Sequence, residues 1–180
     1  CIVGGGAAGL ACGPDPSDCG PAEGTVAHVI DGDTIDVDFD LGSGEDRDRI
    51  RMIGIDTPET NYSYGNHPEC YGEEASKKTD SLLVAASEIW VERDEDPVDN
   101  NDRLLRYVWY VSEIDGQVHL LNEQLVAEGY AEAHYYAPNG LYQDRLDEAQ
   151  DNAHHAGNRT EIPDPGGNAG SRACRAESAV

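Results

Sequence analysis

Hydrophobic residues recur along this chain with two different spacings, and the change from one to the other divides it into elements. Val26, Val29 and Ile30 mark a first strand. After Asp31-Gly32, the residues Ile35, Val37, Phe39 and Leu41 alternate strictly with Asp36, Asp38 and Asp40. A period of two sends one set of side chains to a buried face and the other to water. The Asp-Gly pair between these runs is a strong hairpin signal and puts Asp33 at the start of the returning strand. Gly42-Ser43-Gly44 then turns the chain into a third strand running through Arg49, Arg51 and Met52 to Ile55. It ends in the polar turn Asp56-Thr57-Pro58-Glu59, because Pro58 cannot donate into a ladder. Glu88 to Arg93 and Leu104 to Val111 make five strands in all.

The second spacing is helical. Ala75, Thr79, Leu82, Leu83 and Ala86 share one face of a helix predicted over Glu73 to Ala86. A second helix, about Leu120 to Glu128, stops at Gly129, and a third, about Leu141 to Ala156, buries Tyr142, Leu146, Ala149 and Ala153 before Gly157. Five short strands, three of them a meander, with interleaved helices suit an α+β, mainly β fold. The expected architecture is a five-stranded Greek-key barrel of the OB type with three flanking helices.

With 180 residues and 38% hydrophobic content, the chain can bury one core of ordinary domain size, assigned to residues 23–158. Residues 159–180 contain Pro163-Asp164-Pro165-Gly166-Gly167 and read as a flexible tail. Residues 1–22 read as a signal-peptide remnant or a lipoprotein-like leader, in which Ala7 to Ala11 lead into Cys12 as a lipid-attachment residue. Cys1 is the rival attachment point, and a disordered leader with incidental cysteines is the third reading. The five cysteines, Cys1, Cys12, Cys19, Cys70 and Cys174, point to an extracellular or envelope-anchored setting, with no connectivity deducible from spacing. No apolar run approaches the roughly 20 residues needed to span a bilayer.

Charge changes the picture further. Thirty-six acidic and 12 basic residues give a net charge of -24. That sign repels polyanions, which usually bind basic surfaces and release counterions. Were the partner itself a polyanion, two readings would reconcile the sign: work in high salt, where the screening length is about 3 Å at 1 M, or a local positive well made by a cation and a few arginines. A third reading gives the acidic residues solubility alone.

Candidate chemistry gathers at the strand ends. Asp33 and Asp56 sit where two strands can meet over one ion, and hard cations take oxygen ligands. Arg51 rides on the third strand, and Arg103 stands at the mouth of a later β-rich run. A guanidinium held nearby can fork onto a phosphate. Asp31 is a turn residue or an acceptor behind Asp33.

The segments VIDGDTIDV, RMIGIDTPET, CYGEEAS, DRLLRYVW and YYAPNG, in this order and spacing, resemble the staphylococcal nuclease (thermonuclease, micrococcal nuclease) family from about Gly24 to about Gly157. The resemblance implies the same barrel and a Ca²⁺-dependent endonuclease. Such an enzyme hydrolyses single-stranded DNA and RNA with little sequence preference, leaving 3′-phosphate ends, and is expected as a monomer. It also implies that Asp33, Asp56 and the Thr57 carbonyl hold Ca²⁺, that Glu59 is the general base, and that Arg51 and Arg103 clamp the phosphate. His134, Tyr135 and Tyr136 fall in the nucleoside-contacting loop, Tyr136 on the second ring position and His134 in place of the first. Asn101 stands where the family commonly has Tyr and Asp102 where it usually has Gly, so that Asp102 can pair with Arg103 and blunt its grip. Asn158-Arg159-Thr160 replaces the region of a family Trp. Two other classes remain open: a non-catalytic single-stranded nucleic-acid-binding OB module, and a calcium-stabilised envelope domain.

Overall fold

The computed structural model describes residues 22–39, 47–60, 69, 71–84 and 86–157. The leader, the Gly42-Ser43-Gly44 turn, all five cysteines and the tail lie outside the described residues. In chain order the elements are β1 (Ala22–Val29), β2 (Thr34–Asp38), β3 (Arg47–Met52), β4 (Ile55–Asp56), α1 (Gly72–Val84), β5 (Ala86–Glu92), β6 (Leu104–Ser112), β7 (Val118–Leu120), α2 (Leu121–Ala127), β8 (Glu132–Ala133) and α3 (Gln143–Ala156).

Five strands run in the order β3-β2-β1-β5-β6, and a parallel pairing of β3 with β6, Ile50 opposite Leu104 and Met52 opposite Arg106, closes them into a barrel. This is the OB-type α+β fold that the pattern implies, with three helices against it. Inside lie Ile35, Val37, Ile50, Ile55, Val91 and Val108, joined by Leu121, Leu125 and Val126 of α2 and Leu146 of α3. The period-two reading of β2 holds for its inner face. Its outer face is less wet than alternation suggests: Asp36 is buried because Arg49 of β3 grips it through two hydrogen bonds of 2.9 and 3.2 Å.

Two local expectations are corrected. Asp33 does not begin the returning strand. β1 stops at Val29, β2 starts at Thr34, and the amides of Ile30 and Asp31 both donate to the Thr34 carbonyl, leaving Asp33 in the connection. The third strand is not continuous to Ile55 either. It breaks at Gly54, whose φ of 77° is the left-handed region that glycine alone occupies freely, and Ile55-Asp56 pairs instead with β8. Asn122 of α2 supports the break, donating to the Ile53 carbonyl at 2.8 Å and accepting from the Val108 amide at 2.9 Å. A Cβ on Gly54 would lie 2.4 Å from Leu146 Cδ1. Gly54→Ala is therefore expected to lower stability by about 1–3 kcal/mol through strain and overpacking together. A melting curve superimposable on that of the parent chain would show that α3 yields without cost.

The helix boundaries shift modestly. Ala86 opens β5 rather than closing α1, and Tyr142 is the half-buried residue ahead of α3, its ring edge-on to Tyr107 and Trp109 at 4.8 and 5.5 Å. Arg106 lies fully inside, its Nη1 donating to the carbonyls of Pro97 and Leu105, and burial pulls its pKa down to about 10, still charged at neutral pH. Among the described residues no helix is long and apolar enough to cross a membrane.

Candidate active site

The connection between β1 and β2 is wedged in place. A Cβ on Gly32 would stand 2.8 Å from the Thr57 side chain and 2.9 Å from Ala75 of α1, and Thr79 of α1 donates its hydroxyl to the Gly32 carbonyl at 2.7 Å. Glycine is required here for close approach, and α1 thereby becomes a buttress for the loop that carries Asp31 and Asp33.

Asp33 is fully buried, so each of its oxygens needs partners. Oδ2 accepts the Thr57 amide at 3.0 Å, while Oδ1 accepts the Thr34 hydroxyl at 3.1 Å and meets Arg51 Nη1. Arg51 donates its other terminal nitrogen to Asp56 Oδ1 at 2.7 Å. One guanidinium thus joins the two strand-end carboxylates, and the Asp56 side chain remains half exposed, opening the site to solvent. Asp31 is buried beside them, with one carboxylate oxygen accepting the Asp33 amide at 3.3 Å. Burial raises the Asp31 pKa, an effect opposed by a hydrogen bond with Thr34 and then by the charges of Arg51 and Arg103.

Glu59 stands at the rim. Burial first, then the charges of Asp31, Asp56 and Glu69, raise its pKa against the pull of Arg51. Its backbone is held twice by Glu69: the Glu59 amide donates to Glu69 Oε2 at 3.0 Å, and the Glu69 amide donates to the Glu59 carbonyl at 2.9 Å. A Cβ on Gly72 would come within 2.6 Å of that same carbonyl. Sequence reasoning missed Glu69 and Gly72, because the contact is between two loops and no periodic pattern announces it.

Arg103 lies within the electrostatic reach of Asp31 and is held from behind. Its Nε donates to Asp99 Oδ2 at 2.7 Å and its amide to Asp99 Oδ1 at 3.0 Å. The expected Asp102–Arg103 pair does not form. Asp102 sits at φ 59°, and the turn from Asp99 to Arg103 presents Asp99 to the guanidinium instead. Burial alone would raise the Asp99 pKa, but hydrogen bonds from the Arg103 amide and guanidinium prevail and lower it. A carboxylate depressed in the folded state adds stability above its unfolded pKa of about 3.9, stability that is lost as pH falls through the folded value. The clamp on Arg103 is therefore intact at neutral pH.

The aromatic loop is tied to both halves of this arrangement. The His134 amide donates to the Gly54 carbonyl at 2.8 Å, next to the β4 and β8 pairing that carries Asp56. Buried Asn139 accepts the Asp96 amide at 2.8 Å and donates to the Asp96 carbonyl at 3.2 Å, anchoring the loop to the segment that leads to Arg103. The exposed rings of His134 and Tyr136 lie 4.3 Å apart. Tyr135 is turned onto Gly140, where an added Cβ would meet its ring at 2.9 Å.

The donor set around Arg51 is entirely oxygen: two carboxylates joined at one guanidinium, with buried Asp31 and the exposed Glu59 beside them. It holds more acidic than basic groups, which fits a hard divalent cation. Among the described residues no three or more carboxylate, imidazole or thiol side chains converge as a metal cage. An ion here would depend on Asp33 and Asp56 together with backbone and water oxygens.

A family model described as Staphylococcal nuclease homologue matches residues 49–159. The chain is 43% identical over 129 residues to the thermonuclease of Staphylococcus hyicus, covering 71% of this chain and 69% of that protein. It is 40% identical to the thermonuclease of Staphylococcus intermedius with the same coverage. Over 130 residues it is 38% identical to endonuclease YncB of Bacillus subtilis, covering 70% of this chain and 56% of that protein. The matched span runs from the strand of Arg51 through the loops of Glu59 and Arg103 to the end of α3, and on this ground the chain belongs to the staphylococcal nuclease family.

Proposed function

We propose that this chain is a Ca²⁺-dependent nuclease that hydrolyses phosphodiester bonds of single-stranded DNA and RNA with little sequence preference. The observation that carries the reading is Arg51 seated between Asp33 and Asp56, with Glu59 at the rim. Arg103, held by Asp99 through Nε, keeps its terminal nitrogens for phosphate oxygens, and Arg51 would give up its contacts with Asp33 and Asp56 to do the same; the hold of both strengthens as charge develops on the phosphoryl group. Glu59 accepts a proton from the attacking water, which forms the new P–O bond as the bond to the 5′ oxygen breaks. The departing oxygen is protonated by solvent, leaving a 3′-phosphate. When bound, Ca²⁺ supplies polarisation of the phosphoryl oxygens; Asp33, Asp56 and the Thr57 carbonyl are the groups that would hold it. His134 and Tyr136 offer ring faces for a base, worth about 1–3 kcal/mol per stacked base and tolerant of sequence.

The net charge of -24 favours a second reading, a binding module or a catalyst that works in high salt. We place the protein outside the cytoplasm or on the envelope, a reading supported by the five cysteines. Purified protein incubated with single-stranded DNA and Ca²⁺ should cleave it, a chelator should stop the reaction, and molar NaCl should leave the rate undiminished. Binding without cleavage selects the module, and a steep loss in salt removes the halophilic reading. Asp99→Asn should reduce kcat/KM by about tenfold, since Arg103 loses the group that aims it. An unchanged value would show that Arg103 is oriented without Asp99.

A further inference from the structure

Arg49 is a third guanidinium on the same side of the barrel, and the reaction outlined above does not use it. It lies two residues from Arg51 on β3, so the two share a face about 6.6 Å apart. This spacing is on the scale of one nucleotide step along a single strand. On the other flank, Ile50 pairs with Leu104 in parallel register, and continuing that register by one residue sets Arg49 beside Arg103. Between them the surface opens into a groove of about 470 Å³ lined by Asp36, Arg49, Asn101, Asp102 and Arg103. The Arg49 side chain is half exposed, whereas Asp36 beneath it is largely covered. Asp36 takes the Nε and Nη2 edge of the guanidinium, at 2.9 and 3.2 Å. A planar fork held on that edge still has its Nη1 edge to offer, already oriented and with little side-chain entropy left to lose.

We propose that Arg49 and Arg103 form the walls of a second phosphate site, which holds the phosphodiester next to the one being cleaved. Arg103 then stands between two phosphates, and Arg49 serves the neighbouring one. The proposal rests on the nucleic-acid reading above and deepens it: the substrate class becomes a strand with at least two consecutive phosphates rather than an isolated diester. The acidic groups lining the groove, Asp36 and Asp102, weaken this hold and set its strength.

Two variants and two readouts test the assignment. Arg49→Ala should lower kcat/KM on a hexanucleotide about tenfold, a loss at least several times larger than on a dinucleotide with a single phosphodiester. Asp36→Asn, which frees the guanidinium and removes a negative charge, should change the hexanucleotide value in the opposite direction. In chelator, where cleavage stops, binding of a fluorescent oligothymidylate should be followed across salt concentrations. Arg49→Ala should move the slope of log affinity against log salt by about 0.7, the value of one single-strand phosphate contact. Equal losses on the two substrates, an unaltered slope, or both variants shifting the same way would overturn the second site and return Arg49 and Asp36 to a cross-strand ion pair. Should the parent chain cleave neither substrate, the nuclease reading fails by itself, and the salt slope still decides this one.

Discussion

Arg51→Ala is expected to abolish detectable cleavage and to lower the unfolding free energy by about 3–5 kcal/mol, the cost of removing one partner from a buried ion pair. Both effects come from one geometry. Asp33 has no exposure to water and keeps only the Thr34 hydroxyl and the Thr57 amide once the guanidinium is gone. Asp56 loses its 2.7 Å contact as well, but its half-exposed carboxylate can turn to solvent, so the penalty falls on Asp33. Arg51→Lys should recover part of the stability and little of the activity, since an ammonium restores charge without the fork that reaches two carboxylates and a phosphate. Combining Arg51→Ala with Asp33→Ala should regain stability relative to Arg51→Ala alone, while cleavage stays absent. Chemical denaturation and a cleavage assay on the same samples check this. A stable, active Arg51→Ala protein would mean that the buried carboxylate is satisfied by other groups and that phosphate is held elsewhere.

Glu59→Gln is expected to reduce kcat by about 10²- to 10⁴-fold, the usual contribution of a positioned base. Stability should stay within about 0.5 kcal/mol, as for surface substitutions generally. The separation follows from where the contacts lie. Glu69 and Gly72 fix the Glu59 backbone, which the substitution leaves in place, while the side chain faces the open rim. Affinity for single-stranded DNA should fall little, because the guanidinium groups and rings that contact it are untouched. A Glu59→Gln protein that cleaves at the parental rate would remove Glu59 from the proton transfer and leave it a structural residue of the rim.

How far the sequence announced this arrangement varied with the kind of signal. The strict alternation of Ile35, Val37 and Phe39 with aspartates is a one-dimensional pattern, and it located β2 and its inner face correctly. The helical spacing of Ala75, Thr79 and Leu83 likewise gave the buried face of α1. Gly54 was harder to read, because an isolated glycine in a run of apolar residues looks like a weak point in a strand. Its role as a break depends on Leu146 and Asn122, far away in the chain. The short strands β4, β7 and β8 escaped notice for a related reason: two or three residues carry no period, and pairing partners settle them. The same holds within the site. Asp33, Arg51 and Asp56 stood out by residue type at strand ends, and Asp99 as an acidic position shortly ahead of Arg103, whereas Glu69 behind Glu59 and the bulk of Ala75 against Gly32 are tertiary contacts. Asp102 shows how adjacency misleads, since its neighbour Arg103 turns to Asp99 at 2.7 Å instead.

Charge shows the relation between whole and part most clearly. The chain carries -24 overall, yet three arginines, Arg49, Arg51 and Arg103, are collected where β2, β3 and β6 meet. Each is braced by an aspartate, Asp36, Asp33 or Asp99. Bracing costs some attraction for phosphate but removes most of the disorder a free arginine would lose on binding. In strong salt, where long-range repulsion is screened within a few ångströms, such oriented forks retain their short-range hold.

The most direct measurement is a crystal of Glu59→Gln grown with Ca²⁺ and a short single-stranded oligonucleotide, examined by anomalous diffraction at a wavelength where calcium scatters anomalously. The expected result is one calcium peak held by the Asp33 and Asp56 carboxylates in place of their contacts with Arg51, and a single phosphate bound by both the displaced Arg51 guanidinium and Arg103. Calcium at another place on this acidic surface, or the two arginines engaged with unrelated groups, would contradict the account.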